Sequence, residues 1–325
     1  MLWIRGNCFI PDARKFWIKP SVQYLSGVLE QEKIKTIITT GPPHSLHLIG
    51  LQLKKKLSLQ WIADFRDPWT SIGYHKKLRL SKRAQKRHLN LERTVLQNAD
   101  KIIVTSPTTQ EEFATITTRT IKVITNGFDG VVDSSKVVLD EKFTISHIGS
   151  LLTGRNPQNL WKSLGELVKE NSQFKEALQL QLVGVVSEDV LASIKEYHLE
   201  PYMNRVGYVN HEQALKYQQQ SQVLLLVEID SIETKGIIPG KLFEYLRAER
   251  PIMAFGPEGW DAGKIIEDTQ AGEVFSYSLD TTIKEVLLNW FQEYKQKQLK
   301  TNAIHIEQYS RKALTKVLAD YITWE

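Results

Sequence analysis

The feature that most constrains the fold is an alternation of short apolar strand patterns with amphipathic helical patterns, repeated along the whole chain. The run Val223–Val227 is apolar at every position, which is typical of a parallel strand that helices cover on both faces. Such strand–helix alternation predicts α/β domains with doubly wound parallel sheets. Because 325 residues are more than one core usually fills, we expect two such domains.

Strand and helix patterns also locate a domain boundary. The strands predicted in the first half are Thr36–Thr40, Gln60–Ala63, Lys101–Thr105 and Lys122–Thr125, with helices near Ser21–Gln31, Ser45–Lys55, Leu78–Gln97 and Thr108–Ala114. In the second half they are Phe143–Ile148, Gln179–Val183, Val223–Val227, Ile252–Phe255 and Glu273–Ser276. A polar stretch without periodicity follows the turn dipeptide Asn126-Gly127. We therefore predict a first domain over 1–130, a linker over 131–141, a second domain over 142–305 and a C-terminal helix over 306–325.

Composition excludes some classes of protein. No run approaches the roughly 20 apolar residues that a membrane-spanning helix needs. The single cysteine, Cys8, cannot form an intramolecular disulfide, which fits a reducing cytoplasm. Residues 1–130 carry 21 Lys/Arg and 10 Asp/Glu, whereas the rest carries 21 and 27. Two halves of opposite charge indicate different partners for the two domains, the alternative being chance variation of surface charge.

Two strand–loop–helix segments of the second half have the composition of anion sites. Gly149 and Ser150 follow a predicted strand and lead through Arg155 into a helix, and Pro239-Gly240-Lys241 opens a second helix that carries Glu244. The amino end of a helix attracts phosphate, and an arginine can donate to two phosphate oxygens. Ligands of doubly wound sheets bind at the carboxyl ends of strands, where such loops meet. We therefore predict a nucleoside diphosphate site, with Glu244 within reach of the ribose.

A set of segments in a fixed order resembles the glycosyltransferases of the GT-B fold, and most closely their retaining family 4. The segments are Trp61–Trp69, Asn98–Ser106, Val123–Asp129, Ile148–Arg155, Leu182–Gly184, Val206–Tyr208 and Pro239–Ile252. The resemblance implies two Rossmann-like domains facing a cleft, and transfer of a sugar from a nucleotide-sugar donor to an acceptor hydroxyl with retention. It further implies a role in cell-surface polysaccharide or glycolipid synthesis. No Asp-x-Asp motif is present, so we expect a metal-independent enzyme with the nucleotide sugar as co-substrate and no bound cofactor.

Residue by residue, the resemblance assigns donor binding to Gly149, Ser150, Arg155, Pro239, Gly240, Lys241 and Glu244. This sequence departs from the family pattern at two of its positions, with Gly236 in place of the first glutamate of E-x₇-E and Ser150 in place of an arginine. Only four strands are predicted before the linker, which suggests an N-terminally shortened first domain. These departures leave two alternatives open, a catalytically idle nucleotide-binding or scaffold protein of the same fold and a nucleotide-sugar epimerase.

The sequence identifies no catalytic nucleophile but offers four candidate residues in the first half. His44 follows Gly41-Pro42-Pro43 at a strand end, and either contacts the sugar or acceptor or is solvated beside a Ser45 helix cap. Asp64, Arg66 and Asp67 crowd the end of another strand, where they either face substrate or form a mutual ion-pair network.

A basic stretch accounts for the positive first half. Its members are Lys76, Lys77, Arg79, Lys82, Arg83, Lys86 and Arg87. On a helix with an apolar face, this pattern predicts attraction to an anionic membrane surface or a lipid-linked acceptor, the alternative being a solvated helix. No nucleic acid is expected, because no aromatic platform or binding motif accompanies the stretch. We expect a cytoplasmic protein with peripheral attachment to the inner membrane face as a hypothesis, and the sequence indicates no oligomeric state.

Overall fold

The computed structural model describes residues 2–130, 137–278 and 282–323. They form two compact units, of which the first joins the chain up to Thr125 with the segment from Leu314 onward, and the second is Asn126–Ala313. Much of the predicted linker, residues 131–136, lies outside the described residues. Within the described ranges, no helix combines the length and the apolar character that crossing a membrane requires.

The first unit contains a parallel sheet in which spatial order follows chain order. Its strands are β1 (Thr36–Gly41), β2 (Gln60–Phe65), β3 (Lys101–Val104) and β4 (Thr120–Val123). Its helices up to Thr125 are α1 (Leu2–Cys8), α2 (Ile18–Gln31), α3 (Ser45–Leu57), α4 (Gly73–Lys77), α5 (Lys82–Asn98) and α6 (Pro107–Ala114). All four predicted strands are present.

Helices cover both faces of this sheet, which is why its strands are apolar. On one face Trp61 and Ala63 of β2 pack with Val95 of α5. On the other face Ile62 packs with Tyr321, which belongs to the last helix. The position of the central strands β2 and β3 between two apolar layers follows from their mostly buried residues.

The last helix, α14 (Arg311–Thr323), packs on the first sheet. The sequence alone predicts only a separate C-terminal helix over 306–325. The hydroxyl of Tyr321 donates to the carbonyl of Thr120 at 2.9 Å. In return, the ammonium of Lys101 donates to the carbonyl of Tyr321 at 2.8 Å. These bonds fix the end of the chain to β3 and β4.

The second unit contains a larger parallel sheet with the strand order β10-β9-β8-β5-β6-β7. Its strands are β5 (Phe143–Ile148), β6 (Leu178–Val183), β7 (Met203–Gly207), β8 (Val223–Val227), β9 (Ile252–Phe255) and β10 (Gly272–Phe275). Its helices are α7 (Gln158–Glu170), α8 (Ser172–Ala177), α9 (Glu188–Glu196), α10 (His211–Gln220), α11 (Gly240–Ala248), α12 (Asp261–Asp268) and α13 (Thr282–Lys295).

The continuous apolar run of β8 has the environment that the sequence predicts. Val223, Leu225 and Val227 belong to the core on one face of the sheet. Leu224 and Leu226 belong to the core on the other face. Two parallel sheets, one in each unit, confirm the predicted fold class, a chain of two α/β units, and the second sheet is doubly wound.

Two elements differ from the sequence-based expectation. Strand β7 was not among the predicted strands, because it is an edge strand whose Asn204 and Arg205 are exposed and polar. The single helix predicted over Leu78–Gln97 is wrong in its first turn: α5 begins only after Ser81, whose hydroxyl accepts from the Ala84 amide, and Arg79 just before it is left-handed (φ 51°).

Candidate functional site

The order of the second sheet defines where a ligand would bind. The chain leaves β5 for β6 and β7 on one side, and then returns to build β8, β9 and β10 on the other side. The strand order therefore reverses between β5 and β8, and the crevice outside the carboxyl ends of such a pair is the usual ligand site of open α/β sheets. The loops that begin at Gly149 and Glu228 lie at this point.

The loop after β5 approaches its neighbours so closely that side chains are excluded. Gly149 is left-handed (φ 119°), and its amide donates to the carbonyl of Val183 at 2.7 Å. A Cβ on Gly149 would come within 2.8 Å of the Lys241 ammonium. A Cβ on Gly184, at the end of β6, would come within 2.4 Å of the Gly149 carbonyl oxygen. The two glycines thus bring the loop and Lys241 together.

Arg155, the predicted diphosphate ligand, is held by a buried carboxylate. Its Nε and Nη2 both donate to Oε1 of Glu228, at 3.1 and 2.7 Å. The same oxygen accepts from the amide of Ile229 at 2.8 Å. Glu228 is 2% exposed and Arg155 is 28% exposed, so the guanidinium is fixed at the rim of the loop. Arg155 therefore reaches any ligand as part of an ion pair, with much of its charge balanced.

Lys241 in the first turn of α11 has a different kind of partner. Its ammonium donates to Nε2 of His147 at 3.3 Å, while Nδ1 of that buried histidine donates to the carbonyl of Leu225 at 3.0 Å. Burial, with Lys241 as a smaller cause, holds the pKa of His147 well below its usual value, so the imidazole is neutral. Burial and the charge of Arg155 lower the pKa of Lys241 to about 8. Because its partner is neutral, that hydrogen bond does not cancel the ammonium charge.

The start of α11 is open on its outer side. Pro239 is the N-cap residue, with no side-chain hydrogen bond to the first turn, and a Cβ on Gly240 would meet no atom within 4 Å. The first amides of a helix need outside acceptors, and here an approaching anion can reach them. Ser150, in the loop after β5, is exposed. The predicted donor residues are thus grouped at the crevice between β5 and β8.

Glu244 lies on the same helix, one turn further on. Its Oε2 accepts from the buried amide of Gln218 at 2.8 Å, and its Oε1 is 3.9 Å from Nε2 of the exposed His211. The Glu244 side chain is 30% exposed. A carboxylate oriented by one buried amide and open on its other oxygen is suited to accept from a hydroxyl of a ligand.

Sequence reasoning missed two residues of this site, His147 and Glu228. His147 lies inside an apolar strand, where a single polar residue is easily attributed to the core. Glu228 immediately follows the apolar run of β8. A charged residue at that position is a signal that could have identified it, since the carboxyl ends of central strands carry ligand sites.

His44 in the first unit is buried rather than solvated. It stacks on Trp69, with ring centroids 4.6 Å apart, and is 3% exposed. Burial and the nearby His75 and His88 lower the pKa of His44 to about 3. Ser45 is not the cap either: its amide and hydroxyl both donate to the Asp12 carboxylate, at 2.8 and 3.0 Å.

The three charged residues near the end of β2 are in different environments. Asp64 pairs in register with Thr40 of β1 and is half-buried, and its burial raises the pKa, partly offset by the Thr40 hydroxyl and by Arg66. Burial also raises the pKa of Asp67, with an offset from Arg66. Arg66 itself is exposed, and its carbonyl accepts from the hydroxyl of Thr105 at 2.9 Å.

The basic stretch is divided by the break before α5. Lys82, Arg83, Lys86 and Arg87 are exposed on α5, whereas Lys77 and Arg79 are exposed on either side of Leu78. The helix turns Ala84 and Val95 into the core. Elsewhere in the described part of the chain, no three His, Cys, Asp or Glu side chains are grouped so as to hold a metal ion.

Comparison with known proteins places the fold. Neither a protein-family model nor a curated protein matches the chain. Among solved structures it is similar to sucrose-phosphate synthase from Thermosynechococcus elongatus, at 16% identity and a TM-score of 0.60 over 95% of this chain and 78% of that one. It is also similar to HepE from Anabaena in complex with UDP, at 14% identity and a TM-score of 0.63 over 94% and 82% of the two chains.

A third similar structure is WaaG, a glycosyltransferase involved in lipopolysaccharide biosynthesis, at 12% identity and a TM-score of 0.55 over 87% of this chain and 83% of that one. At such identities the likeness concerns the fold. It confirms that the chain has the GT-B fold predicted from its sequence, with a parallel sheet in each unit.

Proposed function

We propose that the protein is a glycosyltransferase that moves a sugar from a nucleotide-sugar donor to an acceptor hydroxyl, with retention at the anomeric carbon. The observation that carries the proposal is the meeting of Lys241, the open start of α11 and the Gly149 loop at the switch point of the second sheet. The fold is shared with HepE, which was solved with UDP, and with WaaG, a glycosyltransferase. The UDP in the HepE structure supports a nucleoside diphosphate as the ligand of this crevice.

In this proposal the charged groups act on the leaving diphosphate. The bond from the anomeric carbon to the diphosphate oxygen breaks, the acceptor oxygen bonds to that carbon, and the acceptor proton passes to the departing diphosphate. Lys241 and the first amides of α11 stabilise the charge that develops, a preorganised electrostatic role that needs no bound metal. Arg155, fixed by Glu228, adds a directed donor, and Glu244 accepts from the ribose.

The first test is calorimetric titration of the full chain with UDP. Lys241→Met removes the unbalanced charge and should weaken UDP binding about tenfold or more. Lys264→Met, at an exposed lysine of the same unit, is the matched control and should leave the affinity unchanged. Equal UDP affinity in the wild type and in Lys241→Met would contradict this site.

A second candidate function is a catalytically idle nucleotide-binding protein. Gly236 and Ser150 favour it, because each stands where the family pattern places a charged side chain. Release of UDP from a panel of UDP-sugars, followed with a coupled assay, separates the two. UDP binding without any release of UDP, with or without acceptor extracts, would select the idle protein.

We also propose that the acceptor is presented at an anionic membrane surface, in cell-surface polysaccharide or glycolipid synthesis. Lys82, Arg83, Lys86 and Arg87 are exposed on α5. Of the apolar residues of that helix, Val95 and Leu96 belong to the core and only Leu89 is exposed. Binding of vesicles should therefore be electrostatic and should fade as the Debye length falls from about 10 Å at 0.1 M salt to about 3 Å at 1 M.

The corresponding test is sedimentation with phosphatidylglycerol-containing vesicles. Changing the four α5 residues to Glu should abolish sedimentation. A control with the same change of charge replaces the exposed Lys162, Lys169, Lys175 and Lys300 of the second unit by Glu. If both variants lose vesicle binding equally, total charge rather than α5 is responsible.

A further inference from the structure

A buried histidine connects β5 to β8 at the edge of the donor site, the crevice at the carboxyl ends of these two strands. Their parallel register ends at the pairs Ile145–Val223 and Ser146–Leu224. The next residue of β5, His147, is buried, and its Nδ1 donates to the carbonyl of Leu225 at 3.0 Å. The imidazole thus bonds to β8 just where the backbone register between the two strands ends.

The bond to Leu225 determines the role of the other ring nitrogen. The ring is neutral, because burial holds the pKa of His147 well below its usual value. A carbonyl can only accept, so Nδ1 carries the one ring proton and Nε2 is left as an acceptor. An ammonium can only donate. The Lys241 ammonium, 3.3 Å away, is therefore the donor to Nε2.

The strand end and the first turn of α11 are fixed to each other, and Lys241 with them. The hydroxyl of Tyr245, one turn after Lys241, accepts from the amide of Ile148 at 3.1 Å, and Tyr245 is fully buried. Gly149 leaves room for the lysine side chain, since a Cβ there would lie 2.8 Å from the ammonium. His147 thus meets an ammonium that packing has already brought to the loop after β5.

Three charged groups from the surrounding elements act on Lys241. Burial lowers the pKa of Lys241 most, the guanidinium of Arg155 lowers it further, and the carboxylates of Glu228 and Glu244 raise it. Both carboxylates already have partners, the guanidinium of Arg155 and the amide of Gln218. The acceptor at hydrogen-bonding distance is the uncharged His147, which orients the ammonium without balancing its charge.

We propose that His147 is a positioning residue of the donor site, which holds the Lys241 ammonium beside Gly149 and thereby sets the pH range in which the site binds its nucleotide. The inference rests on the proposed function, because it assigns the held charge to a diphosphate. A hydrogen bond to the charged form of a group favours that form. Without Nε2, Lys241 should therefore release its proton at a lower pH.

Two substitutions separate this role from a structural one. The glutamine amide reaches about as far along the side chain as Nε2, and the asparagine amide about as far as Nδ1. His147→Gln therefore keeps an acceptor for Lys241 and gives up the bond to Leu225. His147→Asn does the reverse, keeping a donor for Leu225 and leaving Lys241 without its acceptor.

The first measurement follows Lys241 in the full chain without nucleotide. The protein is labelled with lysine carrying ¹³C at Cε, and the Lys241 resonance is assigned by its absence in Lys241→Arg. The wild type should titrate with a midpoint at about pH 8. His147→Gln should titrate near the same value, and His147→Asn about one pH unit lower, as expected for the loss of a hydrogen bond to a charged group.

The second measurement is the affinity for UDP at two pH values. If only the protonated lysine binds, lowering its midpoint from about 8 to about 7 makes UDP binding at pH 8 about fivefold weaker in His147→Asn than in the wild type. At pH 6 the ammonium is charged in both proteins, so the difference should nearly vanish. His147→Gln should follow the wild type at both values. A packing defect, in contrast, would weaken binding at both pH values alike.

Two titration results would overturn the proposal: equal midpoints in His147→Asn and the wild type, or a midpoint that falls as far in His147→Gln as in His147→Asn. The wild type provides a test that needs no substitution of His147. Its ring ¹⁵N resonances should show the proton on Nδ1 and an Nε2 signal that moves as Lys241 titrates, and a proton on Nε2 would overturn the proposal. Undiminished UDP affinity in Lys241→Met would instead refute the donor site, while the nucleotide-free titration still decides whether His147 holds Lys241.

Discussion

The loops after β1 and after β5 each follow the first strand of their unit in chain order, but they differ in how their polar groups are paired. After β5, Arg155 is paired with Glu228, and Lys241 donates to His147, so each group already has a partner. After β1, His44 is buried with both ring nitrogens free of partners among the described residues. The comparison teaches that the charged groups of the second unit are already paired within the protein, whereas the first unit keeps a buried imidazole without a hydrogen-bond partner among the described residues.

The two arrangements have opposite effects on the free energy of unfolding when a side chain is replaced. A buried ion pair is costly to break, because the remaining charge loses its counter-charge and cannot regain water. A buried polar group without a partner is costly to keep, so that its removal relieves the fold. Equivalent substitutions should therefore destabilise the second unit and stabilise the first.

The largest effect is expected from Arg155→Met, which leaves Glu228 buried without its cation. We expect a loss of about 3 kcal/mol in the free energy of unfolding, the low end of the range for a broken buried pair, because Arg155 is 28% exposed. Urea unfolding followed by circular dichroism measures it.

The control for that change is Arg311→Met, in the same unit. Arg311 pairs with Asp129 at 2.6 Å, but these side chains are 65% and 67% exposed. An exposed pair contributes at most about 1 kcal/mol. Similar losses of stability in the two variants would show that the buried pair Arg155–Glu228 contributes no more than the exposed pair Arg311–Asp129.

The second effect is smaller and opposite in sign. His44→Phe keeps the ring stacked on Trp69 and removes both unpartnered nitrogens, so we expect a gain of about 1 kcal/mol at pH 7. The same change at the exposed His198 should alter stability little. A loss of stability in His44→Phe would show that the nitrogens have protein or water partners that the fold depends on.

Lowering the pH should enlarge the effect of His44→Phe on stability. The pKa of His44 is about 3 in the fold and 6.5 in the unfolded chain, so the unfolded state binds more protons between these values. Stability attributable to His44 is therefore lost as the pH falls from 6.5 towards 3, by at most about 1.4 kcal/mol per pH unit. The advantage of His44→Phe over the wild type should widen between pH 7 and pH 5, as urea unfolding at both values will show.

The sequence predicts the fold well where the central strands are apolar throughout. Val223–Val227 has helices on both faces, as its pattern requires. Strand β7 escapes such reasoning, since it lies at the edge and carries Asn204 and Arg205 on exposed positions. The break before α5 escapes it too, because a serine hydroxyl that caps a helix is visible only once the backbone is known.

The sequence predicts the donor site of the second unit better than the histidine cluster of the first unit. Local motifs predict the donor site, since Gly149–Arg155 and Pro239–Glu244 are each continuous in the chain. Its partners His147 and Glu228 come from strands far away in sequence and become apparent only in the fold. The histidine cluster of the first unit has no local motif, because His44, His75 and His88 come together by tertiary packing alone.

The last expected effect concerns nucleotide affinity rather than stability, through the pH dependence of Lys241 in the donor site. The pKa of Lys241 is about 8, so raising the pH from 7 to 9 turns most of its ammonium into neutral amine in the free protein. Most of the UDP is already ionised at pH 7, so the change in Lys241 dominates and we expect the affinity to fall about tenfold. In Lys241→Arg the charge persists at both values, and the affinity of that variant should not change with pH. The folding stability of the protein without nucleotide changes with pH in the opposite direction. Between pH 8 and 10.5 the Lys241 side chain binds a proton in the unfolded chain more often than in the fold, so the stability attributable to Lys241 increases with pH there. Calorimetry with UDP at the two pH values decides the matter, because parallel profiles for the wild type and Lys241→Arg would mean that Lys241 is not the charge that the diphosphate meets.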